Sequence, residues 1–221
     1  MIPDMRAFLD EQSLTIPTAP AGGPATGSVA AAISAAKAAA AAKGRVIVDI
    51  LVDGQRLDDE ALDAPSTLPA GDIELKCISA DPRQLVADSF SDVARAVDEL
   101  RPVQREAAEA LQTGKLDSAF EGLTAALQVW DAVHRVTEQG PALLGANLTS
   151  LAAETEGGRA VLEELASLSA TLQQVKDAVS TQDWSTLSDL LSHELDEAAG
   201  RWSRLLDALA KGAVGFGKGG A

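Results

Sequence analysis

Residues 184–209 read WSTLSDLLSHELDEAAGRWSRLLDAL, and the reading of this stretch decides the fold. Trp184, Leu187, Leu191, Leu195, Ala198, Trp202, Leu205 and Leu209 recur every three or four residues, the period of one face of an α-helix. Steps alternating between three and four make a heptad seam, the pattern of helices packed at shallow angles. Two steps of four in succession, at Leu187, Leu191 and Leu195, form a stutter that locally relaxes a supercoil. Together with Gly200 it marks the place where a neighbouring helix could come close or be replaced by a partner's.

Working back along the chain, the same pattern repeats. Val161, Leu165, Leu168, Leu172, Val175 and Val179 form a seam that ends at a short turn over Thr181 to Asp183. Leu116, Phe120, Leu123, Leu127, Trp130, His134 and Thr137 form another, which Gly140-Pro141 is expected to stop. A leucine-bearing continuation follows from Leu143 to Leu151, and Gly157-Gly158 marks a break. Asp81-Pro82 has the form of a helix start. Val86, Phe90, Val93, Val97 and Leu100 follow at heptad spacing, Pro102 is expected to kink or end this helix's first half, and Gly114 breaks the pattern. LQTGKLDSAFEGL (111–123) aligns without gaps on VSTQDWSTLSDLL (179–191). Two antiparallel helical hairpins follow from this, either duplicated or alike by chance.

Upstream of Asp81 the period changes. VAAAISAAKAAAAAK (29–43) is an alanine helix, capped by Ser28 and closed by Gly44, slim enough to lie close on a sheet. RVIVDILV (45–52) alternates, with Val46, Val48, Ile50 and Val52 expected on one face. Asp53-Gly54 predicts a type I′ hairpin turn into a short strand at Gln55 to Leu57. A polar loop with Pro65 and Pro69 follows, and IELKCIS (73–79) is a further strand. Leu14 to Ile16 can form an edge strand. The expected architecture is mainly α: a flexible arm over 1–27, a small β-α-β-β unit over 28–80, an antiparallel four- or five-helix bundle over 81–211, and a disordered tail over 212–221.

Composition narrows the function. Of 221 residues 46% are hydrophobic but only 3% aromatic, so the core must be built from Ala, Leu and Val, which suit closely packed helices. A net charge of −15 disfavours nucleic acid and anionic membranes, because phosphate binding depends on Lys and Arg. A basic partner, or one offering an apolar helix face, is compatible with it. The apolar run at Val29 to Ala42 is short and broken by Lys37, so no membrane insertion is expected. The single Cys77 forms no internal disulfide and reads as a buried thiol. With no basic and apolar leader at the start, a cytoplasmic location is expected.

No chemistry stands out. His134 lies on or beside an apolar seam and reads as a boundary histidine. No Glu-x-x-His pair is present to build a di-iron centre, so neither metal nor cofactor is expected. Phosphate loops, dinucleotide fingerprints, nucleophile elbows and paired Cys-x-x-Cys motifs are absent. His193 falls off the seam and should be exposed. An exposed histidine on a bundle resembles the histidine phosphotransfer domain, whose motif is roughly His-x-Leu-Lys-Gly; here His193-Glu194-Leu195-Asp196-Glu197 keeps the Leu but puts acids where Lys and Gly belong. Those acids would repel a phosphoryl group.

QDWSTLSDLLSHEL (182–195), after one long amphipathic helix and opening another, resembles flagellar and other secretion-export chaperones. That resemblance implies a small, acidic, antiparallel helical protein holding an exported subunit's amphipathic helix. VDG (52–54), SADPR (79–83) and the Asp183-Trp184 hairpin are similar to uncharacterised bacterial proteins that join a small α/β unit to helices. LQTGKLDSAFEGLTAAL (111–127) resembles a single tetratricopeptide repeat, with no second one at that period. The expected function is a non-enzymatic adaptor or export-chaperone-like protein that binds a partner helix beside Trp184, Leu187, Leu191, Leu195 and Trp202. The alternatives are phosphotransfer through His193 and a structural subunit that homodimerises.

Overall fold

The computed structural model describes residues 6–15, 29–57, 73–153, 155 and 160–217. The chain divides into two compact units, 1–82 and 83–221, each with its own apolar core. The Ser28 cap, the loop with Pro65 and Pro69, and the break at Gly157-Gly158 lie outside the described residues.

The first unit contains β1 (Arg6–Leu9), β2 (Gln12–Leu14), α1 (Val29–Ala42), β3 (Val46–Val52), β4 (Gln55–Arg56) and β5 (Glu74–Ala80). The sheet order is β2-β1-β5-β3-β4, with β1 parallel to β5 and the other neighbours antiparallel. This is the β-grasp topology, two hairpins joined by a helix, with the first and last strands side by side. Residues 6–9 and 12–14 are thus strands, and the expected arm over 1–27 and the β-α-β-β order are corrected. The first hairpin lacks a glycine: Asp10 and Glu11 both adopt positive φ, 49° and 67°. The Asp10 carboxylate accepts from the Ser79 amide at 2.8 Å and from its hydroxyl at 2.6 Å, so a side-chain anchor to β5 holds a turn that carries no Asn-Gly or Asp-Gly signal. The second hairpin turns at Asp53-Gly54 with φ 50° and 80°, as its sequence predicts.

Alternation in β3 is interrupted. Ile47 pairs with Ser79 but Asp49 pairs with Ile78, so a β-bulge absorbs Val48 and leaves it exposed. Beyond the bulge Ile50 and Val52 pair with Cys77 and Leu75, the buried side of β5. Ile47 therefore joins Ile50 and Val52 against the core, which corrects the expectation that Val46 and Val48 share their face. Val29, Ala32, Ile33, Ala36 and Ala40 of α1 are buried against this side.

The second unit is built from α2 (Pro82–Gln112), α3 (Leu116–Leu143), a short α4 (Leu148–Ala153), α5 (Ala160–Thr181) and a last helix in three parts. These parts are α6 (Trp184–Asp189), a π-helical turn over Leu190–Glu194, and α7 (Leu195–Gly215). Cross-helix contacts set the directions. A Cβ on Gly122 of α3 would lie 2.8 Å from Ala107 Cβ of α2, and one on Gly140 would lie 3.3 Å from Phe90, so α2 and α3 are antiparallel. Asp98 meets Ser203, Arg101 meets Asp196, and the Ala108 carbonyl meets Ser188, so α2 also runs antiparallel to α6–α7. Arg201 of α7 pairs with Glu164 of α5 at 3.0 Å, which sets that hairpin. The result is an antiparallel four-helix bundle with both hairpin turns at one end.

Pro102 and the Gly140-Pro141 pair do not end their helices. Pro102 is exposed, and Gly140 is buried against Phe90, where its lack of a side chain lets the helices approach. Gly212 does the same: a Cβ there would meet Thr155 Cγ2 at 2.6 Å. The last helix continues through Gly215, which corrects the disordered tail expected from 212. Gly200 is different, since a Cβ there would meet only the ends of the Arg204 and Arg101 side chains, at 3.9 and 4.0 Å.

Both hairpins turn alike. Lys115 N–H bonds the Ala110 carbonyl and Gly114 N–H that of Leu111, with Gly114 at φ 71°. Asp183 N–H bonds Ala178 and Gln182 N–H bonds Val179, with Gln182 at φ 55°. Each is a Schellman motif with one residue in the left-handed conformation. The buried sets also correspond. Ala119 and Leu123 in α3 stand where Leu187 and Leu191 stand in the last helix. Beyond that point Ala126, Trp130, Val133, Thr137 and Gly140 correspond to Leu195, Ala199, Trp202, Leu206 and Leu209, with one extra residue in the second series. The π turn holds that residue: Leu195 N–H bonds the Leu190 carbonyl, five residues back. The sequence stutter at Leu187, Leu191 and Leu195 is this turn.

Candidate functional site

The residues expected to bind a partner are core residues. Leu187, Leu191, Leu195 and Trp202 are fully buried within the bundle, and only Trp184 is half-buried. A partner helix has no access to this seam unless the bundle opens.

The structure exposes a different surface. In α3 the buried positions are Ala119, Leu123, Ala126, Trp130, Val133, Thr137, Gly140 and Pro141. The expected seam shares only Leu123, Trp130 and Thr137 with it. At the intervening positions the bundle takes in Ala119, Ala126 and Val133 and leaves out Phe120, Leu127 and His134. Small residues win because α2 lies so near: Gly122 lies beside Ala107 and the Val103 carbonyl. Larger side chains at the contact would hold the axes further apart. The rejected side chains form an exposed apolar strip of Leu116 (38% exposed), Phe120 (37%) and Leu127 (43%). Trp184 closes one side of it, its ring edge-on to Phe120 with centroids 5.7 Å apart. The sequence signal was present, since Ala119, Ala126 and Val133 repeat at the same spacing one residue earlier, but size favoured the leucines.

Asp117, Phe120, Glu121, Thr124, Ala125 and Gln128 line an open groove along this face. Further along, Asp131 pairs with Arg135 at 3.0 Å, and Glu138 lies 3.6 Å from the His134 ring. Asp117 and Glu121 enter no ion pair among the described residues.

Asp196 accepts from Arg101 Nε and Nη2 at 3.2 and 2.9 Å, and from Arg105 Nε and Nη2 at 3.1 and 2.9 Å. The Arg101 hydrogen bonds, with those of Arg105, hold the Asp196 carboxyl below its usual range against the opposing effect of burial. His193 lies in the π turn and is exposed, and His134 is exposed beside Glu138. Burial pushes the Cys77 thiol up, away from the reactive thiolate. Among the described residues no three His, Cys, Asp or Glu side chains gather as metal ligands. No described helix is long and apolar enough to cross a membrane.

Sequence reasoning also passed over Gln104. Its amide is fully buried in the bundle, and neither it nor the indole N–H groups of Trp130 and Trp202 has a hydrogen-bond partner among the described residues.

Geometry thus defines a mainly α protein in which a small α/β unit precedes a two-hairpin helical bundle. The chain belongs to the family described as Domain of unknown function (DUF8042), whose model matches residues 88–205, a span running from α2 into α7. No curated protein and no solved structure matches the chain.

Proposed function

We propose that this chain is a non-enzymatic protein-interaction module that offers the α3 strip, with Trp184 at its edge, to another protein. The observation that supports this reading is the exclusion of Leu116, Phe120 and Leu127 from a core that takes alanine and valine instead. Exposed large apolar side chains grouped along one helix mark interaction surfaces. The partner surface expected from sequence, along Trp184 to Leu209, moves to the opposite hairpin, with Trp184 common to both. An adaptor or an export-type chaperone fits this reading equally. The test is affinity enrichment with the full chain and with its Leu116→Ser/Phe120→Ser/Leu127→Ser variant, the fold checked by circular dichroism. Specific partners vanish with the variant if the reading holds, and an identical partner set with both proteins sinks it.

A second reading keeps His193 as a phosphoryl acceptor. What favours it is that Asp196, one of the nearby acids, is turned onto Arg101 and Arg105 and leaves the exposed imidazole. Equal phosphorylation of wild type and His193→Gln by a histidine kinase mixture eliminates it.

A further inference from the structure

We infer that the partner taken by the α3 strip is a basic amphipathic helix of another protein, an inference that rests on the reading of the strip as an interaction surface. A helix surface has no free backbone edge, so an extended segment gains no ladder of hydrogen bonds on it. A partner that satisfies its own backbone and brings only side chains fits better. Leu116, Phe120 and Leu127 span about 16 Å along α3, roughly three turns of a helix packed alongside it. The charge of the partner follows from the rim. Asp117 and Glu121 line the groove beside Phe120 without a cation of their own among the described residues. Past Leu127, Asp131 already holds a cation in Arg135 at 3.0 Å. Lysines or arginines flanking an apolar stripe would meet the two free carboxylates while the stripe covers Phe120. A second copy of the chain is a poor occupant, because it would bring the same acidic rim and a further −15 against this one.

The experiment titrates the full chain with synthetic amphipathic helices of Leu with Lys, Leu with Glu and Leu with Gln. Trp184 reports binding through its emission, since Trp130 and Trp202 are fully buried. The Leu/Lys helix binds, and Asp117→Asn/Glu121→Gln weakens it about fivefold, the scale of two exposed ion pairs. Leu116→Ser/Phe120→Ser/Leu127→Ser weakens it by at least about tenfold without altering net charge. Leu/Glu or Leu/Gln helices binding as tightly, and losing affinity in the triple serine variant, overturn the charge assignment and leave the surface reading intact. Leu/Lys binding that ignores the triple variant reveals general attraction to an acidic protein and overturns the inference. The absence of binding by any of the three overturns it as well. Sedimentation showing a dimer that the triple variant abolishes makes a second copy the occupant and contradicts it directly.

Discussion

Phe120 stands edge-on to Trp184, with ring centroids 5.7 Å apart and planes at 87°. The pair joins the second turn of α3 to the first turn of α6, near the starts of the two hairpins' second helices. Both rings are partly open to solvent, so the contact serves as much to shape the surface as to hold the bundle. Phe120→Ala should shift Trp184 emission to longer wavelength while costing only about 1 kcal/mol of stability, the scale of an aromatic pair. A loss as large as that of a buried phenylalanine would mean that Phe120 belongs to the core.

The π turn is a one-residue insertion, and the bundle should fold without it. Deleting His193 would turn Leu190–Glu194 into ordinary helix and keep Leu187, Leu191, Leu195 and Trp202 facing inward. Stability by urea titration should stay within about 1 kcal/mol of wild type, as for a surface change. Deleting Gln128, equally exposed but in regular helix, rotates Trp130 and Val133 out of the core. That should cost about 3 kcal/mol or more.

How much of this was legible in the sequence depended on which forces decided each element. Helix period, the Gly114 and Thr181 to Asp183 turns, and the Asp53-Gly54 hairpin could be read because local chemistry sets them. The stutter pointed to the π turn, although heptad arithmetic alone did not say that an extra residue would be looped into it. The edge strand expected at Leu14 to Ile16 lies earlier, at Gln12–Leu14, and its partner Arg6–Leu9 was not legible because Asp10 and Glu11 turn without glycine, anchored by Ser79 from a distant part of the chain. The rotation of α3 also escaped notice. Hydrophobicity ranks Phe120 and Leu127 above Ala119 and Ala126, but the closeness of α2 at Gly122 reverses the order. Gly140, Gly212 and Pro102 misled in a related way: buried glycines here mark close contacts, and this proline is accepted within a helix.

Glycines separate the two roles by experiment. Gly122→Ala drives a Cβ to 2.8 Å from Ala107 and should lower stability by about 1–3 kcal/mol, the cost of overpacking. Gly200→Ala meets nothing nearer than 3.9 Å and should raise stability by about 0.5–1 kcal/mol through helix propensity. Thermal melts of both variants check the pair.

Asp196 makes the bundle sensitive to acid. Its folded carboxyl titrates below the usual range because Arg101, then Arg105, bonds the charged form. The stability this gives is complete above the ordinary carboxylate pKa and is lost as pH falls through the lower, folded value. Asp196→Asn should cost about 1 kcal/mol at neutral pH, discounted for the exposure of both arginines. The gap between variant and wild type should close in urea titrations taken down through the carboxylate range, and a gap that widens as pH falls has the wrong sign.

The claim that most depends on the structure is that α3 presents alanine to the core and leucine to solvent. Two aspartates placed at adjacent positions test it. Ala126 is 1% exposed and Leu127 is 43% exposed. Urea unfolding should find Ala126→Asp destabilised by more than about 3 kcal/mol, the cost of an unpaired buried charge. Leu127→Asp should lose less than about 1 kcal/mol, as expected for surface positions. The reverse order, with Leu127→Asp unfolding the bundle and Ala126→Asp tolerated, would restore the leucine seam and remove the proposed surface.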